Sequence, residues 1–257
     1  LSLQENVLRI DPARFVFEGG ELQIESEINA QKEPKIKLKM TADNIGLVRI
    51  LSELEQSRSK GGTLDLYVDL SSQGRSESEL AANLNGDFGI AIEDAYVLRK
   101  DLDLLSLDAL GWVISSTIKR DDYAQLNCAI FRVKVNEGLV KSDVFFVDGQ
   151  TISVGGKVVL NLRDETIDMK LFPKKKTKLW GSLRPVEING SLNDPTVSSI
   201  PSGTLALEGG ALVLAPFVYL PARGLGYLGS MLKGKKGEDS RCLQYSDHPD
   251  EASPSSK

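Results

Sequence analysis

Residues 64–70 read Leu-Asp-Leu-Tyr-Val-Asp-Leu, in which apolar and polar side chains alternate without a break. Because successive side chains of a β-strand point to opposite faces, this segment would form a strand with one apolar and one polar face. Antiparallel sheets commonly have one buried and one solvated face. The stretch therefore predicts an antiparallel strand that packs on one side only.

The same alternation recurs along most of the chain. Further examples occupy residues 22–25, 36–40, 88–92, 131–135, 158–162, 167–171 and 186–188. Turn signals separate them, among them Asn85-Gly86 and Glu137-Gly138, and such pairs favour the positive φ angles of tight hairpins. The sequence predicts a mainly β protein, a long curled antiparallel sheet with a few packed helices and a C-terminal apolar helix.

Two segments depart from the period of two in favour of helical spacing. Residues 43–57 and 103–119 place apolar side chains three or four positions apart, which predicts amphipathic helices. Asp43 or Asn44 would be the N-cap of the first helix, because their side chains can accept hydrogen bonds from the free N–H groups of its first turn.

A third segment, residues 205–232, is almost devoid of charge but contains two prolines and several glycines. Two interpretations are open: a broken apolar helix that docks on the sheet, or an interfacial segment that touches a membrane or a partner. Residues 233–257 are polar and predict a disordered tail. We expect residues 1–63 to be strands continuing from a longer N-terminal part, and residues 64–204 to form the main β domain.

Composition excludes several classes of function. The 257 residues carry a net charge of -5, which gives no basic field for nucleic acid. The chain has a single histidine, His248, in the polar tail, which argues against His-based triads and imidazole metal sites. No motif suggests a nucleophile or a pair of catalytic carboxylates. We expect neither catalysis nor a cofactor nor a metal.

The two cysteines leave two interpretations open. Cys128 begins a predicted strand and Cys242 lies beyond the apolar segment. In an oxidising compartment they could form a disulfide that ties the C-terminal segment to the sheet, and otherwise they are two free thiols.

One dense run of basic side chains follows Pro173, in a segment expected to be a loop. It consists of Lys174, Lys175, Lys176 and Lys178. A solvated loop is one interpretation. Contact with anionic lipid headgroups is the other, since clustered lysines near a bilayer are attracted to anionic lipids.

Residues 64–242 resemble the C-terminal region of AsmA-family proteins of Gram-negative bacteria. The resemblance rests on an ordered series of segments rather than on any single motif: residues 64–76, Leu84-Asn85-Gly86, residues 101–105, 128–133, Glu137-Gly138, residues 152–158, 167–169 and 185–195, then the apolar segment and Cys242.

The resemblance implies a periplasmic protein that is anchored to the inner membrane by an N-terminal helix outside this sequence. It also implies envelope biogenesis, through phospholipid binding or transfer in an apolar β-groove or through support of outer-membrane assembly with envelope proteins as partners. Candidates for the apolar inner face are drawn from the alternating strands: Leu66, Val68, Phe131, Val133, Val135, Val158, Leu160, Leu162 and Met169.

Other functions compatible with the alternation stay open. The same residues could form an ordinary closed core in a structural end-cap or protein-interaction domain. An outer-membrane β-barrel also shows alternating segments, although aromatic residues are only 6% of the chain.

Overall fold

The computed structural model describes residues 2–4, 6–17, 19–48, 61–98, 123–150, 152–176, 184–200 and residue 242. Their fold is mainly β. Twelve strands form one sheet in which every strand lies beside its neighbours in sequence. All the pairs are antiparallel, as the alternation predicts.

The strands are β1 (Ser2–Gln4), β2 (Val7–Phe17), β3 (Gly20–Asn29), β4 (Lys35–Gly46), β5 (Thr63–Gln73), β6 (Asn85–Leu98), β7 (Tyr123–Asn136), β8 (Leu139–Gly149), β9 (Ile152–Asn161), β10 (Thr166–Lys175), β11 (Val186–Ser191) and β12 (Asp194–Ser199). Helix α1 (Glu77–Ala82) connects β5 to β6. No helix in these described ranges is long and apolar enough to cross a membrane.

Turn chemistry fixes the register of the hairpins. Glu137 and Gly138 connect β7 to β8 with φ angles of 48° and 74°, the positive pair that a two-residue hairpin turn requires. A side chain at position 138 would collide with the backbone oxygens of Ala81 and Ala82 at the end of α1. This turn therefore needs glycine both for its conformation and for its close approach to the helix.

Cross-strand register separates the sheet into two chemically distinct faces. One row of paired residues runs across seven strands from β2 to β8, through Phe15, Leu22, Ala42, Leu66, Ile90, Phe131 and Phe145. We call this side the apolar face. The opposite side, the polar face, carries rows such as Arg9, Glu27, Lys37, Ser71 and Asn85.

The predicted helix over residues 43–57 is wrong at its start. Asp43 and Asn44 are part of β4, at a register irregularity between Ala42 and Ile45. Asn44 has a φ of 51° and its N–H donates to Asp65 Oδ1 at 2.7 Å. These residues bulge within a strand, and the bulge keeps both Ala42 and Ile45 on the apolar face.

Leu47 and Val48 are helical, and residues 49–57 lie outside the described residues. So do the predicted helix over residues 103–119, the apolar segment 205–232 and, apart from Cys242, the tail 233–257.

Helix α1 was not predicted, although its sequence carries a signal. The Ser76 hydroxyl accepts from the Glu79 N–H at 3.2 Å, and the Glu79 carboxylate accepts from the Arg75 N–H at 2.7 Å. Ser-x-x-Glu is the pattern of a capping box. The helix has only six residues, too few for the periodicity test to detect.

Buried side chains form three clusters, and β6–β11 supply every strand residue in them. One surrounds Val133, Val135 and Val140 on the apolar face. A second, on the same face, contains Ile152, Val154, Leu171, Val186 and Ile188. The third lies on the polar face and contains Ala91, Cys128, Ile130, Phe146 and Cys242. Ser153 of β9 and Phe172 of β10 are buried on the polar face as well. Within the described residues, the sheet is thus buried on both sides at β7–β10.

Candidate functional site

The nine candidate residues of the inner face all lie on the apolar face. Register places Leu66 in one row with Phe131, and Val68 in another with Val133. Val135 lies on the same side of β7, Val158 and Leu160 on that side of β9, and Met169 on that side of β10. Leu162, in the connection after β9, packs against the buried cluster of this face. Period-two alternation therefore placed them together.

Burial divides these nine residues into two groups. Val68, Val133, Val135 and Val158 are buried, with 7% or less of their surface exposed. The remaining five, Leu66, Phe131, Leu160, Leu162 and Met169, are only half-buried. The half-buried group retains apolar surface that a ligand could cover.

The apolar face continues onto β2, β3 and β4, which the sequence-based candidate list omitted. Ile24, Leu38 and Met40 are half-buried there, and Phe15 is 48% exposed. The alternation in residues 22–25 and 36–40 marked these positions as one-sided. Sequence alone did not show that this part of the face is the less covered one.

Aromatic rings line the middle of the apolar face. Phe88 and Phe131 meet edge to face with ring centroids 6.3 Å apart, and Phe131 and Phe145 do so at 5.8 Å. Edge-to-face pairs of this kind contribute about 0.5–1.5 kcal/mol beyond their burial. The three rings fix the packing where the open and buried parts of the face join.

The polar face carries pairs of oppositely charged side chains on adjacent strands. Arg9 contacts Glu27 at 3.0 Å, and Lys39 lies 3.8 Å from Asp69. Hydrogen bonds from Arg14 and Gln23 lower the pKa of Glu21, whereas burial and the Glu21 charge raise the pKa of Asp43. The exposed pairs Arg9–Glu27 and Lys39–Asp69 contribute about 0–1 kcal/mol each. These charged side chains keep the polar face of β2–β5 exposed to solvent.

The structure joins Cys128 of β7 to Cys242 by a disulfide, with Cα atoms 5.3 Å apart. Both cysteines are fully buried in the polar-face cluster. The Cys242 N–H donates to Glu93 Oε1 at 3.2 Å, so a strand of the sheet also binds the backbone at this point. The disulfide thus fixes Cys242 on the side opposite the apolar face.

The basic run is not a loop, contrary to the sequence-based expectation. Lys174 and Lys175 are the last residues of β10, because Pro173 is accommodated within the strand. Lys176 Nζ lies 2.5 Å and 2.6 Å from the two carboxylate oxygens of the fully buried Asp148. Its charge is therefore committed to an internal ion pair, and Lys178 lies outside the described residues.

Asn127 completes the surroundings of Asp148 by donating from Nδ2 to Oδ2 at 2.8 Å. No sequence motif marked this carboxylate. The part of the chain that the structure describes holds no group of three or more His, Cys, Asp or Glu side chains able to bind a metal ion.

Comparison with known proteins identifies the family. The AsmA family model matches residues 1–145, more than half of the chain, so the match includes the strands before Leu64. AsmA family protein YhjG of Escherichia coli K12 is 21% identical over 237 residues, which cover 91% of this chain and 34% of the relative. The chain therefore spans about a third of that protein's length. No solved structure matches. The chain belongs to the AsmA family of envelope-associated proteins.

Proposed function

We propose that the apolar face binds the acyl chains of phospholipids, and that the protein holds or conveys lipid in the periplasm. In this proposal the sheet curls into a groove, the acyl chains lie along its apolar face, and the headgroups stay outside the groove. The role is passive and involves no chemical reaction.

One observation carries the proposal: a single apolar face runs across the sheet while its β2–β6 part is incompletely covered. Ile24, Leu38, Leu66 and Ile90 all retain exposed surface there. Apolar surface in water is unfavourable, and burying an acyl chain against it contributes about 0.8 kcal/mol per CH₂ group. Long apolar chains are the ligands that gain most from such a surface.

Two findings support the envelope setting. Family membership indicates a function related to the cell envelope. The Cys128–Cys242 disulfide favours an oxidising compartment, and in bacteria that compartment is the periplasm. Anchoring to the inner membrane, through a helix of the longer protein, belongs to the same proposal.

A second candidate function has support at the other end of the sheet. Val154, Leu171 and Val186 are at most 2% exposed, as in a closed core. Strands β9–β11 could thus serve as a structural end-cap or a protein-interaction unit for the envelope that binds no lipid. This candidate predicts a stable, lipid-free protein.

The test is lipid extraction and mass spectrometry of the purified full chain. We expect bound phospholipid in the wild type and its loss in the Ile24→Gln, Leu38→Gln double variant, whose half-buried positions tolerate a polar side chain. Val16→Gln is the matched control, because Val16 is 76% exposed on the polar face. Lipid-free wild-type protein, or a double variant that is folded and retains lipid, would contradict the proposal.

A further inference from the structure

A cleft of about 280 Å³ opens at the end of the sheet where β4 begins and β5 ends. Its lining includes Lys35, Lys37, Ser71, Gln73, Asn85 and Glu137. Ile36, whose side chain belongs to the apolar face, also lines it. The cleft thus lies where the polar face meets the end of the apolar one.

Hydrogen bonds between asparagine side chains and backbone groups build one wall of the cleft. Asn83 Nδ2 donates to the Gln73 carbonyl at 3.0 Å, and Asn85 Nδ2 donates to the Asn83 carbonyl at 2.8 Å. Asn85 Oδ1 accepts from the Glu137 N–H at 3.0 Å. These bonds fix the backbone of the β7–β8 turn, so the position of Glu137 is set by the fold.

The charged side chains of the cleft lie on opposite walls. Lys35 and Lys37 are on β4, whereas Glu137 follows β7, three strand spacings or about 14 Å away in the sheet. Within the described residues, Lys35, Lys37 and Glu137 form no ion pair with another side chain. Glu27, which faces Lys37 across the strands, contacts Arg9 instead.

We propose that this cleft binds a zwitterionic headgroup that carries both a phosphate and a primary ammonium group. The two lysines donate charge-assisted hydrogen bonds to phosphate oxygens, and the Glu137 carboxylate accepts from the ammonium group. The proposal rests on the proposed lipid function, since Ile36 leads from the cleft to the face where the acyl chains would lie.

Size supports a headgroup rather than a whole lipid. Sites for complete small molecules occupy about 300–1,000 Å³, and this cleft lies just below that range. A quaternary ammonium group has no N–H to donate to Glu137, and a glycerol headgroup has no cation. The charges of the cleft therefore select phosphatidylethanolamine over phosphatidylcholine and phosphatidylglycerol.

The experiment uses vesicles with equal amounts of these three phospholipids and identical acyl chains. The full-length chain is incubated with them and re-isolated, and its bound lipids are quantified by mass spectrometry. We expect phosphatidylethanolamine to be enriched. Lys35→Gln with Lys37→Gln should lower the capture of phosphatidylethanolamine and phosphatidylglycerol alike, by about fivefold or more. Glu137→Gln should lower phosphatidylethanolamine alone, by about two- to fivefold.

Lys141→Gln with Lys157→Gln is the matched control, because it removes two exposed polar-face lysines outside the cleft and should leave the lipid ratios unchanged. Soluble phosphoethanolamine should displace phosphatidylethanolamine, and equal displacement by inorganic phosphate would overturn the proposal. Equal capture of all three lipids by the wild type would overturn it too, while leaving lipid binding intact. Capture of none would refute the lipid function itself.

Discussion

Strands β2–β5 and strands β6–β11 share one sheet and one alternation, yet they differ in what stabilises them. In the first region most of the apolar face is half-buried, apart from the buried Ala42, Ile45 and Val68, and the polar face carries exposed ion pairs. The second region contains the three buried clusters, the disulfide and the ion pair of Asp148. Since burial supplies most of the folding free energy, the second region stabilises the sheet and leaves the first free to offer apolar surface.

The largest expected effect comes from removing the disulfide. Replacing both cysteines, Cys128→Ser with Cys242→Ser, removes a covalent link between positions 114 residues apart in the sequence. In the chain-entropy model this lowers the free energy of unfolding by about 4–5 kcal/mol. Urea unfolding of the wild type with and without reductant provides the control, because reduction should reproduce the variant.

Hydrogen exchange shows whether this effect is regional. Amides of β6–β8, which surround the disulfide, should lose protection on reduction, while those of β2–β4 should change little. Equal loss of protection in both regions would mean that they unfold as one unit, and the comparison would fail.

The next effect concerns the buried ion pair. Lys176→Met removes the ammonium group that contacts the fully buried Asp148 carboxylate, and breaking a buried pair in this way costs about 3–5 kcal/mol. Adding Asp148→Asn removes the buried negative charge and should recover part of the loss. A single variant as stable as the wild type would show that the pair contributes nothing to the second region.

A matched pair of leucine truncations then compares how much a buried side chain stabilises each region. Leu171→Ala removes a fully buried side chain from β10 and should cost about 3 kcal/mol, within the range for core leucines. Leu38→Ala removes a half-buried one from β4 and should cost about 1 kcal/mol, since less surface leaves water there. Urea unfolding compares them, and equal costs would contradict the difference in coverage.

Alternation was sufficient to predict the sheet, its antiparallel pairing and the common face of the nine candidates. It works because the period of two depends only on local strand geometry. How much of that face is covered depends on contacts between distant strands, which is why Val133 is buried while Leu66 is not.

The misplaced helix start at Asp43 has a related cause. The spacing of apolar residues in 43–57 is typical of an amphipathic helix, but cross-strand pairing with β5 extends β4 through Gly46.

The cleft could not be predicted from the sequence for a different reason. Lys35 and Lys37 lie at the start of β4 and Glu137 lies in the turn after β7, and only the register brings them to the same end of the sheet.

The smallest effect tests electrostatics in the first region. Burial and the nearby Glu21 charge raise the pKa of Asp43 above 3.8, so the folded state binds this proton more tightly than the unfolded state does. The resulting stabilisation is fully present below pH 3.8 and is lost as pH rises through the raised pKa. At pH 7 the ionised carboxylate is therefore unfavourable, and Asp43→Asn should stabilise the protein.

Because Asp43 is largely exposed, solvent screening limits this gain to about a few tenths of a kcal/mol. Urea unfolding at pH 7 and at pH 4 should show the gain shrinking at the lower pH. The control is Asp168→Asn on β10, whose side chain is also exposed. A gain at Asp43 that does not change with pH would place its origin in the β4 bulge rather than in the charge.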